Sequence, residues 1–195
     1  MFTVRLTAGM CTLLLMAMTL VGIQVALPPT AAVGAPVPSA GHATSIKALA
    51  LNLADVRQVY GSGFKDTRTA SVLTKGRAPT LYARHGFVVG YSDAFMKLTR
   101  LYEIRVVSGV NEFKDARGSR WLLGISRGAP GFKPLKGVGD QAFVYNVKAL
   151  RAIGTIVFRR GAFVSSVSVS APNAVSQSRV LALARLMDRR IQRRG

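Results

Sequence analysis

From Ser166 to Ser170 the chain alternates hydroxyl and valine side chains without a break, Ser-Val-Ser-Val-Ser. A period of two places one set of side chains on a buried face and the other on the opposite face, which is the pattern of a half-buried strand. Just upstream, Arg160-Gly161 separates this run, Ala162–Ser170, from another apolar run, Gly154–Arg159. Glycine accepts the positive φ that tight hairpins demand, so the two runs pair antiparallel. Ala142–Val147 reads as a third strand beside them. The following segment, residues 175–193, changes period. Val180, Leu183, Met187 and Ile191 form a stripe at helical spacing, and Arg189, Arg190, Arg193 and Arg194 crowd the end where the helix dipole favours cations.

The earlier half gives weaker signals. Ile46, Leu49, Leu53, Val56 and Tyr60 sit near helical spacing, with Asp55 a cap candidate and Gly61-Ser62-Gly63 a stop. Leu81–Tyr91 and Leu98–Val107 read as two antiparallel strands joined through Ser92-Asp93. From Ser108, Val110, Phe113, Ala116, Arg117, Arg120 and Trp121 fall at helical spacing, with Ser108 as cap and Gly124 as stop. Gly128–Gly139 is turn-rich and excluded from the interior. Helices alternating with hairpin-linked strands predict an α+β fold, an antiparallel β-sheet packed against two or three helices.

The N-terminus is of another kind. Between Arg5 and Lys47 there is no charged residue, and the run holds Leu13, Leu14, Leu15, Leu20, Val21 and Ile23. A basic start, an apolar stretch and small residues form the pattern of a secretory signal peptide, with small-x-small sites ending at Ala32, Gly34 or Ala40. We therefore read 1–32 as a signal peptide, or as an uncleaved signal anchor that would hold the protein to a membrane, since a bilayer needs about 20 apolar residues. Residues 33–44 form a Pro/Ala-rich linker. Residues 45–195 form a single binding or sensor-like domain. Cys11, the only cysteine, lies inside the apolar run. The domain that follows has no thiol for a disulfide, a nucleophile or a metal.

Charge then narrows the partners. Twenty-seven Lys and Arg against eight Asp and Glu give a formal +19, a surface that draws in polyanions. No zinc finger, helix-turn-helix or RNA-recognition signature organises the bases. For an exported domain the anions at hand are envelope polymers and lipid headgroups rather than chromosomal DNA. Arg117, Arg120, Arg127, Arg159 and Arg160 fall near turns that could frame a cleft beside the sheet, and they are the anion-binding candidates.

Two motifs resolve into turns. Gly124-Ile125-Ser126-Arg127-Gly128 matches the hydrolase pattern GxSxG, but that motif needs a strand before the serine and a histidine beyond it. A helix precedes it here, and no histidine follows His85. Gly137-Val138-Gly139-Asp140-Gln141-Ala142 matches GxGxxA, yet a strand follows where a dinucleotide site requires a helix. His85 reads as a surface or half-buried strand residue. No catalytic residue, metal or cofactor is assigned, and the chain does not specify its oligomeric state.

The succession Val138-Gly139-Asp140-Gln141-Ala142, then Thr155–Gly161, then the Val/Ser strand and a closing helix resembles bacterial exported sensor-like domains. These include the extracellular domains of actinobacterial Ser/Thr kinases and secreted proteins of PsbP-like fold. Upstream, Gly86–Tyr91 and the segment bearing Phe113 and Trp121 fit the same plan. The resemblance spans about 110 residues. It implies ligand binding or sensing outside the membrane and carries over no catalytic residue. Here the cysteines of those kinase domains and the kinase itself are absent. The alternatives are a nucleic-acid-binding protein, a secreted hydrolase and a structural envelope protein.

Overall fold

The computed structural model describes residues 45–148 and 151–194. The stretches read as a signal peptide or anchor, 1–32, and as a linker, 33–44, fall outside the described residues. After a helical stretch at residues 45–47 come α1 (Leu53–Tyr60), β1 (Lys65–Asp66), β2 (Ser71–Thr74), α2 (Thr80–Arg84), β3 (Phe87–Leu98) and β4 (Glu103–Phe113). Then follow α3 (Ala116–Gly128), β5 (Lys133–Leu135), β6 (Gln141–Lys148), β7 (Ala152–Arg160), β8 (Phe163–Ala171) and α4 (Gln177–Gln192). The strands form one eight-stranded sheet in the order β1-β3-β4-β8-β7-β6-β5, with β2 also on β3. Every pairing is antiparallel. The α+β architecture expected from the sequence is present.

Strand alternation splits the interior in two. Val106 and Val110 of β4, Val167 and Val169 of β8, and Ile156 and Phe158 of β7 face α1 and α4, where they join Val56, Val180, Leu183, Met187 and Ile191. The apolar stripe read along α4 is fully buried there, and each such side chain contributes about 1.5–3 kcal/mol. The opposite parity, Phe87, Phe113, Phe143, Val157 and Val164, packs under α2 and α3. On that second face Ser166, Ser168 and Ser170 of β8 follow Val164, and Ser168 bonds Thr155 at 3.0 Å.

Several local expectations are corrected. Asn52 caps α1 in a capping box with Asp55, so Asp55 is the third helical residue, not the cap. Leu81–His85 belongs to α2 and its cap, because Pro79 starts a helical turn that Gly86, at φ 77°, ends. Ser92-Asp93 is no turn: β3 runs on to Leu98, and Asp93 lies buried in mid-strand. Its carboxylate is satisfied locally by Tyr91 Oη at 3.1 Å and the Ala94 N–H at 2.8 Å. Ser108, read as a cap, is buried within β4. The strand continues to Phe113, and α3 begins three residues later behind Asp115, whose side chain accepts from the N–H groups of Arg117 and Gly118. Val106, Ser108 and Val110 alternate inward, and cross-strand partners on both sides override the helical spacing. α3 ends at Gly128 rather than Gly124.

Candidate functional site

All eight acids of the chain lie within the described residues, and their partners decide which cations remain free. Asp188 of α4 takes both Nε (2.8 Å) and Nη2 (2.7 Å) of Arg160, and also accepts the Gly139 N–H at 2.9 Å. Asp140 binds Arg159 at 3.1 Å, Arg160 at 3.2 Å and the Gly161 N–H at 2.9 Å. The Gly-Asp turn and the Arg-Gly hairpin are thus one polar knot. Ser119 of α3 closes it by donating to the Gly161 carbonyl at 2.7 Å. Gly139, at φ 61°, must be bare, since a Cβ would stand 2.5 Å from the Arg159 carbonyl oxygen. Burial alone would raise the Asp188 pKa, but the bonds from Arg160 and Gly139 and the Arg160 charge outweigh it and hold the carboxyl below its usual value.

The other acids have partners of their own, three in ion pairs and three in local hydrogen bonds. Asp55 pairs with Arg190 at 2.6 Å, Glu103 with Arg151 at 3.5 Å and Glu112 with Arg194 at 3.6 Å. Asp115 caps α3, Asp66 accepts the Arg68 N–H at 2.6 Å, and Asp93 is enclosed with Tyr91. Burial raises the Asp93 pKa, with the Asp66 charge adding to it against the hydrogen bonds. Every ion pair among the described residues uses arginine.

An open pocket of about 440 Å³, with no acid in its lining, lies where α2, the start of β3 and the end of β4 meet. It is lined by Lys75, Arg84 and Lys114, with Ala83, Gly86, Phe87 and Val88 between them. The three cations come from three separate segments, and none is in an ion pair. An acid-free concavity with three cations concentrates positive potential, and a small anion entering it would meet charge from several sides.

The local build is closely packed. Gly86, at φ 77°, turns the chain from α2 into β3, and its carbonyl accepts the Lys114 N–H at 2.8 Å. His85 stacks on Trp121 of α3, centroids 3.9 Å apart and planes 7° apart, while Tyr82 meets the same indole edge-on at 5.7 Å. Gly118 lets α3 press directly on the His85 carbonyl, because a side chain there would collide with it. His85 is therefore a packing residue at a helix cap, not a strand residue.

The five sequence candidates divide. Arg159 and Arg160, successive on β7, point to opposite faces and are both bound within the knot. Arg117, Arg120 and Arg127 stand exposed along α3 without ion pairs. The pocket lysines and Arg84 were missing from the sequence expectation. A signal exists for Lys75 and Arg84, since residues 67–92 contain Arg68, Lys75, Arg77 and Arg84 and no acid, whereas Lys114 lies between Glu112 and Asp115 and carries none. Residues 116–139 are also acid-free with five bases, so this signal alone does not choose between them.

The hydrolase-like serine is buried in the last turn of α3, and its Oγ has no hydrogen-bond partner. The GxGxxA stretch enters β6 through two positive-φ glycines, as a strand-entry turn does. Among the described residues no group of three or more His, Cys, Asp or Glu is placed to hold a metal.

The chain is similar in fold to the extracellular domain of PknH from Mycobacterium tuberculosis. The two superpose with a TM-score of 0.55 at 14% identity, over 76% of this chain and 96% of that domain. This bears out, for the fold, the resemblance to kinase extracellular domains read from the Gly-Asp turn, Arg-Gly hairpin and closing helix. No protein-family model matches the chain, and no curated protein matches its sequence.

Proposed function

We propose that this protein is an exported, sensor-like domain that works by binding rather than by catalysis, and that it takes an anionic group of an envelope component in the pocket of Lys75, Arg84 and Lys114. Its fold, shared with an extracellular kinase domain, supports the extracytoplasmic and sensory reading. The observation that carries the ligand class is that three cations, none of them in an ion pair, line one concavity to which no acid contributes. An entering phosphate or carboxylate would replace water around these cations and relieve their mutual repulsion.

Trp121 is the only tryptophan, and it is stacked on the residue next to Arg84, so its emission reports on the site. Glycerol phosphate and polygalacturonate serve as probes of the two anion types. We expect a saturable change in Trp121 emission with at least one probe, weakening as salt is raised. Combined Lys75→Ala, Arg84→Ala and Lys114→Ala should abolish it. Arg117→Ala, Arg120→Ala and Arg127→Ala together should leave it within about twofold, since less than about 0.4 kcal/mol separates affinities that close. Loss with the α3 set and retention with the pocket set would move the site to α3. No response to either probe would overturn the proposal.

A further inference from the structure

At the far end of β3 from the pocket, roughly 35 Å along a strand of this length, the β3–β4 hairpin carries a different surface. The three most exposed large apolar side chains among the described residues all sit in its tip: Leu101 at 91%, Leu98 at 67% and Tyr102 at 42%. Their exposure is held by the turn itself. Thr99 N–H donates to the Tyr102 carbonyl at 2.9 Å, and Thr99 Oγ1 accepts the Tyr102 N–H at 3.1 Å. A loop tied this way presents Leu101 to solvent as a fixed feature, where burial in the fold would otherwise remove it from water.

The surroundings of the tip are cationic. Arg100 lies within it and is exposed, Arg105 is exposed on β4, and Lys97 reaches only the Ser62 carbonyl at 2.9 Å. The nearby acid, Glu103, is taken by Arg151. Apolar side chains at a protruding tip with unpaired cations behind them match the layering of a membrane interface, hydrocarbon first and anionic headgroups next. A second copy of this chain would bring the same positive tip and repel it.

We infer that the β3–β4 hairpin tip docks on an anionic lipid surface, with Leu98 and Leu101 entering the acyl boundary and Arg100, Arg105 and Lys97 at headgroup level. The pocket at the other end of β3 would then face away from the bilayer. This contact uses neither the pocket nor the N-terminal apolar segment, so its failure leaves the ligand proposal standing.

The test uses the full chain carrying Tyr102→Trp, mixed with phosphatidylglycerol-rich vesicles whose acyl chains are brominated. Bromine quenches only an indole that reaches the hydrocarbon. Trp121, packed between His85 and Tyr82 at the opposite end, is the internal control in the unsubstituted chain. The emission of the introduced indole is the difference between the Tyr102→Trp variant and that control. We expect it to fall at least twofold, and the fall to vanish when Leu98→Asp and Leu101→Asp are added. Vesicles of phosphatidylcholine alone should reduce the effect about tenfold at matched lipid. All three leucine and tyrosine positions are exposed, so circular dichroism melts should stay unchanged and exclude unfolding. Three results would each overturn the inference: no quenching, equal quenching in the aspartate variant, or equal quenching on neutral vesicles.

Discussion

The two sets of cations at the pocket end of the sheet carry the same charge and do opposite things. In the polar knot, Arg159 and Arg160 are consumed by Asp140 and Asp188, and their guanidinium groups fasten a turn, a hairpin and a closing helix together. In the pocket, Lys75, Arg84 and Lys114 form no ion pair and no acid joins the lining. The difference lies in the acids, not the bases. With eight acids for twenty-seven cations, each carboxylate committed to architecture leaves a cation elsewhere unmatched. Arginine takes the structural role because its planar fork binds a carboxylate through two bonds, as Arg160 does on Asp188.

The comparison breaks most visibly at Asp188. Asp188→Ala leaves Arg160 and the Gly139 N–H without their partner and should cost about 3 kcal/mol, somewhat under a fully buried pair because Arg160 is partly exposed. Urea unfolding monitored by circular dichroism would measure it, and a loss below about 0.5 kcal/mol, the usual range for surface sites, would deny the knot its structural role.

Acid gives a second handle, because Asp188 and Asp93 shift in opposite directions. The folded-state pKa of Asp188 is lowered. Its stabilisation is therefore complete above the unfolded value of about 3.9 and lost as pH falls through the lower folded value. Asp188→Asn should flatten that acid limb. Asp93 is raised, so its contribution is present below about pH 3.9 and lost as pH rises through the folded value. Asp93→Asn keeps an oxygen for the Ala94 N–H and removes the buried charge. Its urea midpoint at pH 7 should exceed that of the unsubstituted protein, with the two converging in acid; a lower midpoint at pH 7 would contradict the burial argument.

The smallest effect is expected at the pocket. Lys75→Ala, Arg84→Ala and Lys114→Ala together should change stability by no more than about 0.5 kcal/mol, as for surface sites outside any network. Removing three like charges acts in the stabilising direction. A loss of several kcal/mol in the same unfolding experiment would show that these cations, too, are structural.

Legibility in the sequence followed the range of the interactions. The strands β6, β7 and β8 and the helix α4 were read within one or two residues, because the Ser/Val alternation, the Gly161 turn and the α4 stripe are local and agree with one another. The first half was misread where local signals conflicted with distant partners. Asp93 looks like a turn residue and is a strand residue because Ser108 lies opposite it and Tyr91 Oη reaches it. Val110, Phe113 and Ala116 keep helical spacing, but Val110 and Phe113 are held in the sheet: Val110 pairs with Ser165 of β8, and the Phe113 N–H donates to the Ala162 carbonyl. Of the candidate site, the sign of the charge and the dearth of acids were legible, whereas Lys75, Arg84 and Lys114 were not.

By itself, the sequence determined an antiparallel α+β fold closed by an amphipathic helix, and a surplus of cations over acids. Those properties depend on side-chain period, glycine φ and net charge, which a linear chain already carries. Only the tertiary structure decided which cations stay free. Arg160 meets Asp188 across 28 positions and Arg190 meets Asp55 across 135, and charges pair by distance in space, not along the chain.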